Sequence, residues 1–397
     1  MQNTNPAHAS MQRRNLVGAC LAHVLHDGYT DQLYALLPVW QTQFDLSYAG
    51  LALVRAFYYG TMGGLQVPAD RVIARMSPRA ALVVATLVAA AGYLVAALPG
   101  GFPVLCIGLI LAGIGSSVQH PRASHLVTNT FGHDARGPLG IYNFSGDLGK
   151  AAFPAVVALL LTVAPWRSVV SIMAVVGLVV AVGLLALIAP QAPIAQTEHS
   201  SARSNDAGGG FGLLLTIGAL DTATRMGYLL FLPFMIRTRG GGQAIVGLGL
   251  ALLFVGGALG KATCGWLGQR LGVVWGVIIT EAATALLMAA TLMHPLLPML
   301  ALLPLLGIVL NGTSSILYGT VPSLAPRGNI SRGFAVFYTG VIGAGGLAPI
   351  AYGAIADHSN RSAGIVAAAL TAAVIIPLVL PLHSVLKHEC LGFAKQE

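Results

Sequence analysis

The chain has 397 residues, of which 56% are hydrophobic and 9% charged. Soluble globular proteins carry about 25% charged residues, so with a mean hydropathy of +0.78 the chain is excluded from that class and reads as a polytopic helical membrane protein. The formal net charge of +8 then bears on membrane topology, and no nucleic-acid partner is expected.

Apolar stretches of about 20 residues recur between short polar or Pro/Gly-bearing loops. They predict twelve spans, at about 16–44, 47–72, 79–98, 103–128, 138–163, 166–189, 212–237, 245–268, 272–293, 297–322, 330–355 and 362–385. Only helices satisfy the backbone internally at those lengths. Residues 1–15 are short and polar, and no cleavage pattern of small residues follows, so no removable signal peptide is expected. The amino terminus, the even-numbered loops and the tail hold twelve of the 21 Lys and Arg, and the odd-numbered loops four (Arg167, Arg237, Arg239, Arg361). That bias predicts both termini in the cytoplasm. Arg55, Arg122, Lys150, Arg225 and Lys261 fall inside predicted spans.

The first span reads CLAHVLHDGYTDQLYALLPVW over 20–40. A charge at the bilayer centre costs about 2.5–3.5 kcal/mol on the gentlest scale. His23, His26, Asp27, Thr30 and Asp31 follow three- and four-residue steps and predict one polar stripe facing the bundle interior. Two readings stand: Asp27 and Asp31 carry protons in a transport cycle, with His23 as relay, or the stripe is a structural ion-pair network. In the fourth span, Pro121 predicts a kink. Arg122 is either an anion ligand, through its planar fork, or a gate lock; His120 and His125 lack a third ligand at metal spacing, and no metal or cofactor is expected. The fifth span places Asn143, Gly146, Asp147 and Lys150 on one face, the glycines allowing close helix approach. Lys150 is a candidate substrate cation, or a salt-bridge partner of Asp27 or Asp31.

The one long polar stretch, about 189–212, is rich in Ser, Gly, Ala and Pro, as a linker should be. It predicts an amino-terminal bundle at 1–189, a cytoplasmic linker at 190–211 and a carboxyl-terminal bundle at 212–397. In the seventh span, Asp221 and Arg225 stand four residues apart and can pair within the helix. Arg55, Lys261 and Glu281 are expected near helix ends, where snorkelling lowers the cost. Three of the four cysteines, Cys20, Cys106 and Cys264, lie in spans without metal spacing. The run GGALGKAT lacks the Ser/Thr and leading Gly that a phosphate loop needs, so an ATPase or other enzyme is not expected.

Shifting the second half back by about 195 residues overlays LYALLPVW on YLLFLPFM, Arg75 on Arg270, and NFSGDLGKAAFP on YTGVIGAGGLAP. The offset predicts two pseudo-symmetric six-helix bundles with a midplane substrate site. With this repeat the chain resembles the major facilitator superfamily. The family's second-to-third-helix motif is partly kept in GWLGQRLG (Gly265, Arg270, Gly272), with Gln269 for the acid, and more degraded in DRVIARMSPR, with Arg75 and Asp70. The resemblance implies gating roles for Arg75, Asp70 and Arg270, with Ala74 and Gln269 where the motif has its acids. Within the superfamily, LAHVLHDG, GIGSSVQHPRASHLV and, more loosely, FSGDLGKAAFP resemble the fosmidomycin-resistance-type exporters. That likeness implies efflux driven by proton entry, often of anionic compounds, from a bacterial inner membrane.

The expected function is a secondary active transporter, a proton antiporter exporting a small organic anion, phosphonate- or phosphate-like compounds included. The alternative is a proton symporter importing an organic acid. Predicted spans enclose five acids and five bases, which favours paired networks and an anionic or zwitterionic substrate. Proton coupling is assigned to Asp27, Asp31, His23 and Asp221. Substrate binding is assigned to Arg122, Lys150, Arg225, Asp147, His120, Asn143 and Tyr34. The expected partners are the substrate, protons and lipid, and the expected state is a monomer.

Overall fold

The computed structural model describes residues 6–73, 75–190, 209–325 and 330–393. Among the described residues there is no strand. The helices are α1 (Pro6–Asp31), α2 (Leu33–Phe44), α3 (Tyr48–Gly64), α4 (Gln66–Val72), α5 (Pro78–Ala97), α6 (Gly101–Ser116), α7 (Gln119–Phe131), α8 (Arg136–Leu160), α9 (Trp166–Leu187), α10 (Gly209–Thr238), α11 (Gln243–Leu271), α12 (Val273–Met293), α13 (Leu296–Leu324), α14 (Ile330–His358) and α15 (Arg361–Phe393), with a 3-10 turn at Gly132–Asp134. Among the described residues, eight helical segments are long and apolar enough to cross a membrane: α5, joined α6–α7, α9, α12, α13 and the greater part of each of α11, α14 and α15. The other predicted spans fall on α1–α2, α3–α4, α8 and α10, which are interrupted or carry polar and charged residues.

The kink predicted at Pro121 is a break one turn earlier. Proline has no N–H for the carbonyl four residues back, here that of Ser117, and α6 ends at Ser116 while α7 begins at Gln119. Side chains such as Ile107, Ile141, Phe144, Leu148, Val182, Leu286 and Leu370 are exposed, as lipid-facing positions must be.

The described residues group into two compact units. One holds α1, α2, α3 from Val54 onward, and α4 to α9; the other holds α10 to α15 with the segment Leu46–Leu53. In the first unit, α8 lies so close to α1 that a Cβ on Gly149 would strike the Val24 carbonyl. Small residues drive such contacts because lipid gives helices no hydrophobic reason to associate. In the second unit, α11 and α13 meet the same way: Gly256 lies on the Pro304 carbonyl, Gly260 on the Ile308 carbonyl and Gly307 on the Leu253 carbonyl. The glycines of GGALGKAT are thus a packing seam. An apolar core of Leu214, Ile217, Val277, Leu317, Phe337 and Ile375 fills the space between α10 and its neighbours. The segment Leu46–Leu53 is tied into this unit by Asp357, whose carboxylate accepts the backbone N–H groups of Tyr48 (2.8 Å) and Ala49 (2.9 Å).

Candidate functional site

In the first unit, three basic or imidazole groups and two acids meet. Asp27 and His23 stand one turn apart on α1, with His23 Nε2 3.2 Å from Asp27 Oδ2. From α7, His120 Nε2 lies 3.3 Å from Asp27 Oδ1. From α8, the Lys150 Nζ lies 3.2 Å from Asp27 Oδ2 and 3.9 Å from Asp147 Oδ1. Asp27 and His23 are buried, at 5% exposure each. The Lys150 and His120 side chains keep 32% and 36% of theirs, so they form the open side of an otherwise enclosed site. Gly146 makes the room: a Cβ there would stand 2.5 Å from His23 Nε2 and 2.7 Å from Asp27 Oδ2.

The hydrogen bonds of His23 fix its protonation pattern. Its Nδ1 lies 2.8 Å from the Tyr142 carbonyl oxygen, which can only accept, so Nδ1 carries a proton. Nε2 then faces Asp27 Oδ2 at 3.2 Å, the oxygen that also meets Lys150. The His23 ring is held by stacking on Tyr142, with centroids 4.1 Å apart, and by an edge contact with His120 at 5.1 Å.

The single stripe predicted on α1 divides. His26 turns away from Asp27 and lies 2.9 Å from the Ser116 hydroxyl and 3.2 Å from the Thr86 hydroxyl. Ser116 also meets the Tyr58 hydroxyl at 2.7 Å, and Thr30 donates to the His26 carbonyl oxygen at 2.9 Å. Asp31 and Arg122 are buried. Arg55 was expected near a helix end, yet it is 2% exposed with its guanidinium 4.6 Å from the ring centres of both Tyr34 and Tyr59. Cation–π contact lets a weakly hydrated guanidinium stay buried.

The second unit has its own polar cluster. Asp221 and Arg225 both reach Ser314: its hydroxyl donates to Asp221 Oδ2 at 2.9 Å and accepts from Arg225 Nη1 at 3.2 Å. Arg225 also donates to Asn311 Oδ1 at 3.3 Å and to Thr222 Oγ1 at 3.4 Å. Glu281 was expected to snorkel; it lies well inside α12 and is 1% exposed, so its carboxyl has no route to the interface.

Other residues singled out in the sequence, one expected ligand and the expected gating residues among them, lie outside this cluster. Asn143 is exposed, away from the buried face that carries Gly146 and Asp147. Arg75 and Arg270 are exposed, Arg270 lying 5.2 Å over the Trp266 ring; the Asp70 side chain lies outside the described residues. His125 is exposed, while His120 joins His23 and Asp27. One ligand atom from each of those three lies within 4.8 Å of the others, so the trio has the donors for a small metal ion only where Lys150 leaves Asp27. Tyr142, Ser116, Tyr58, Asn311 and Ser314 were not predicted. Ser116 and Asn311 were visible as polar residues inside apolar runs; the Tyr142 carbonyl left no sequence signal.

Comparison with known proteins agrees with this architecture. The model of the Major Facilitator Superfamily matches residues 19–220, and the chain belongs to that family of membrane transporters. It is a transporter and not an enzyme. It is 22% identical over 366 residues to the fosmidomycin resistance protein of Escherichia coli (strain K12), covering 86% of each chain, the branch the sequence resembles. It is 25% identical over 166 residues, 40% of each chain, to the uncharacterized MFS-type transporter YfnC of Bacillus subtilis (strain 168). Among solved structures, a bacterial homologue of the human lysosomal transporter Spinster, inward-facing and occupied, superposes with a TM-score of 0.73 at 16% identity, over 94% of this chain and 96% of that one. A POT family transporter in complex with a thioalcohol-conjugated peptide gives 0.75 at 13% identity, over 94% and 96%. These two likenesses establish the fold.

Proposed function

We propose that the chain is a proton-coupled secondary transporter of a small organic anion. Phosphonate- or phosphate-like compounds are included, and it works by export through antiport from a bacterial inner membrane. Twelve spans in two pseudo-symmetric bundles, joined by the linker at 190–211, with both termini cytoplasmic, complete the proposal. The observation that carries the proton coupling and the anionic substrate is the buried Asp27 carboxylate shared by Lys150, His23 and His120. A proton on Asp27 cancels the charge that holds Lys150 most closely, and the ammonium, on the open side of the site with Asp147 at 3.9 Å, is then available to a substrate anion. The kinship to the fosmidomycin resistance protein supports export.

The same ion pair favours a second reading. Because protonation of Asp27 frees the cation that the substrate anion needs, proton and anion bind together, which is the linkage of a symporter. Antiport requires them to occupy the site in separate half-cycles.

Proteoliposomes with imposed pH gradients and a labelled phosphonate separate the two. Uptake driven by an acidic lumen means antiport; uptake driven by an acidic exterior means symport. In either case Asp27→Asn should abolish gradient-driven accumulation while leaving counterflow. Full gradient-driven transport in Asp27→Asn would remove proton coupling from this site.

A further inference from the structure

The second unit holds a buried acid that the Asp27 mechanism does not use. The Glu281 carboxyl on α12 and the Asp221 carboxyl on α10 lie against one another, with Arg225 beside both. Asp221 and Glu281 are 3% and 1% exposed. Asp221 Oδ2 accepts from Ser314, whereas neither Glu281 oxygen has a hydrogen-bond partner. Further polar groups near the pair come from α13. Thr313 lies next to Glu281, but its hydroxyl donates to Thr280 Oγ1 at 2.8 Å. Asn311 and Ser314 are engaged by Arg225. Among the described residues, Arg225 is the basic group that acts on both carboxyls.

Two touching carboxylates beside a single guanidinium would leave a net negative charge in a dry interior. Like charges so placed do not both ionise, and a buried charge without a partner is expensive. One proton between the two carboxyls removes both problems. It gives the partnerless Glu281 oxygens a hydrogen bond, and it makes the Asp221–Glu281–Arg225 cluster neutral overall.

We infer that Asp221 and Glu281 form a proton-binding site, a carboxyl pair that holds one proton in this conformation. Its role in transport rests on the proton-coupling reading above; the bound proton does not. Loss of that proton leaves two carboxylates, which then compete with Asn311 and Ser314 for Arg225. Occupancy by a proton therefore sets which contacts Arg225 makes with α13. Only a proton moves, and no bond other than O–H is made or broken.

The test is infrared difference spectroscopy of the full-length protein in liposomes, titrated through neutral pH in sodium-free buffer. A carboxylic-acid carbonyl band that shifts in D₂O should persist at neutral pH and vanish in Glu281→Gln. Asp221→Asn should shift or remove it, while Asp27→Asn leaves it in place. Absence of any protonated-carboxyl band from the unmodified protein at neutral pH overturns the inference without requiring a variant to fold. So does a band unchanged in both variants. Because no transport is measured, a working site in a protein without proton-driven transport would fault only the coupling, and the converse only the site.

Discussion

Gly146 occupies a position where any side chain would collide with the His23–Asp27 pair. The added methyl of Gly146→Ala must displace one of those groups, and overpacking of this kind costs about 1–3 kcal/mol. The expected outcome is a lower unfolding temperature in detergent together with loss of gradient-driven transport; an alanine variant with unchanged stability and transport would mean that the pair does not sit as described. The ion pair itself is open to a double-mutant cycle. Lys150→Met strands Asp27 with two imidazoles, and Asp27→Asn strands Lys150, whereas the double variant leaves neither charge. The double variant should be more stable than the single effects sum to, by about 0.5–3 kcal/mol, as for residues in contact. Additive effects would mean the two charges ignore each other. At this scale the sequence was informative about residue types and poor about partners. The three- and four-residue steps on α1 marked His23, His26 and Asp27 as interior. Spacing along one helix is silent on which neighbouring helix each meets, and His26 turned to Ser116 and Thr86 instead of to Asp27. Arg55 and Glu281 were misjudged for a related reason: hydropathy assigns every intramembrane charge the same cost, whereas two tyrosine rings or a second carboxyl change it.

Helix breaks do part of the positioning. α7 starts afresh after Ser117–Val118, and His120 lies in its first turn, so the direction of α7 decides whether His120 reaches Asp27. Pro121→Ala restores the N–H that Ser117 lacks as a partner. A proline inside a helix costs about 3 kcal/mol relative to alanine, so the variant should be at least as stable as the parent. A continuous α6–α7 should carry His120 off Asp27 and reduce transport. Thermal unfolding and counterflow measured together check this; lower stability with normal transport would mean that the break is set by packing and not by the proline. The proline was legible in the sequence, and so were the close glycines on α8. Gly146 and Gly149 were expected to admit a neighbouring backbone, and Gly149 does lie on Val24 of α1. What was not legible was that the break falls a turn ahead of the proline, because the lost hydrogen bond belongs to the carbonyl four residues back.

For the whole molecule, composition alone excluded a soluble fold, since 9% charged residues cannot cover a water-facing surface. The family followed from motifs that composition does not contain, and the match over residues 19–220 agrees with them. Orientation in the membrane rests on a separate physical term, the bias of Lys and Arg among loops. Residues 132–134 lie in a loop that should be cytoplasmic, near Arg136, and Ser359 lies in a loop that should face outward, between α14 and α15. Seven predicted spans separate them, so the two positions must lie on opposite sides. In a background free of Cys20, Cys106, Cys264 and Cys390, a membrane-impermeant maleimide should label Ser359→Cys in intact cells. It should label Asp134→Cys only after permeabilisation. The reverse pattern would put both termini outside, against the positive-inside bias. Labelling of both from one side would mean an even number of crossings between them, and the span count built on hydropathy would fail even though the family assignment stands. A loop position is suited to this test because exposed polar residues tolerate substitution within about 0.5 kcal/mol, so a change in labelling reports topology and not misfolding.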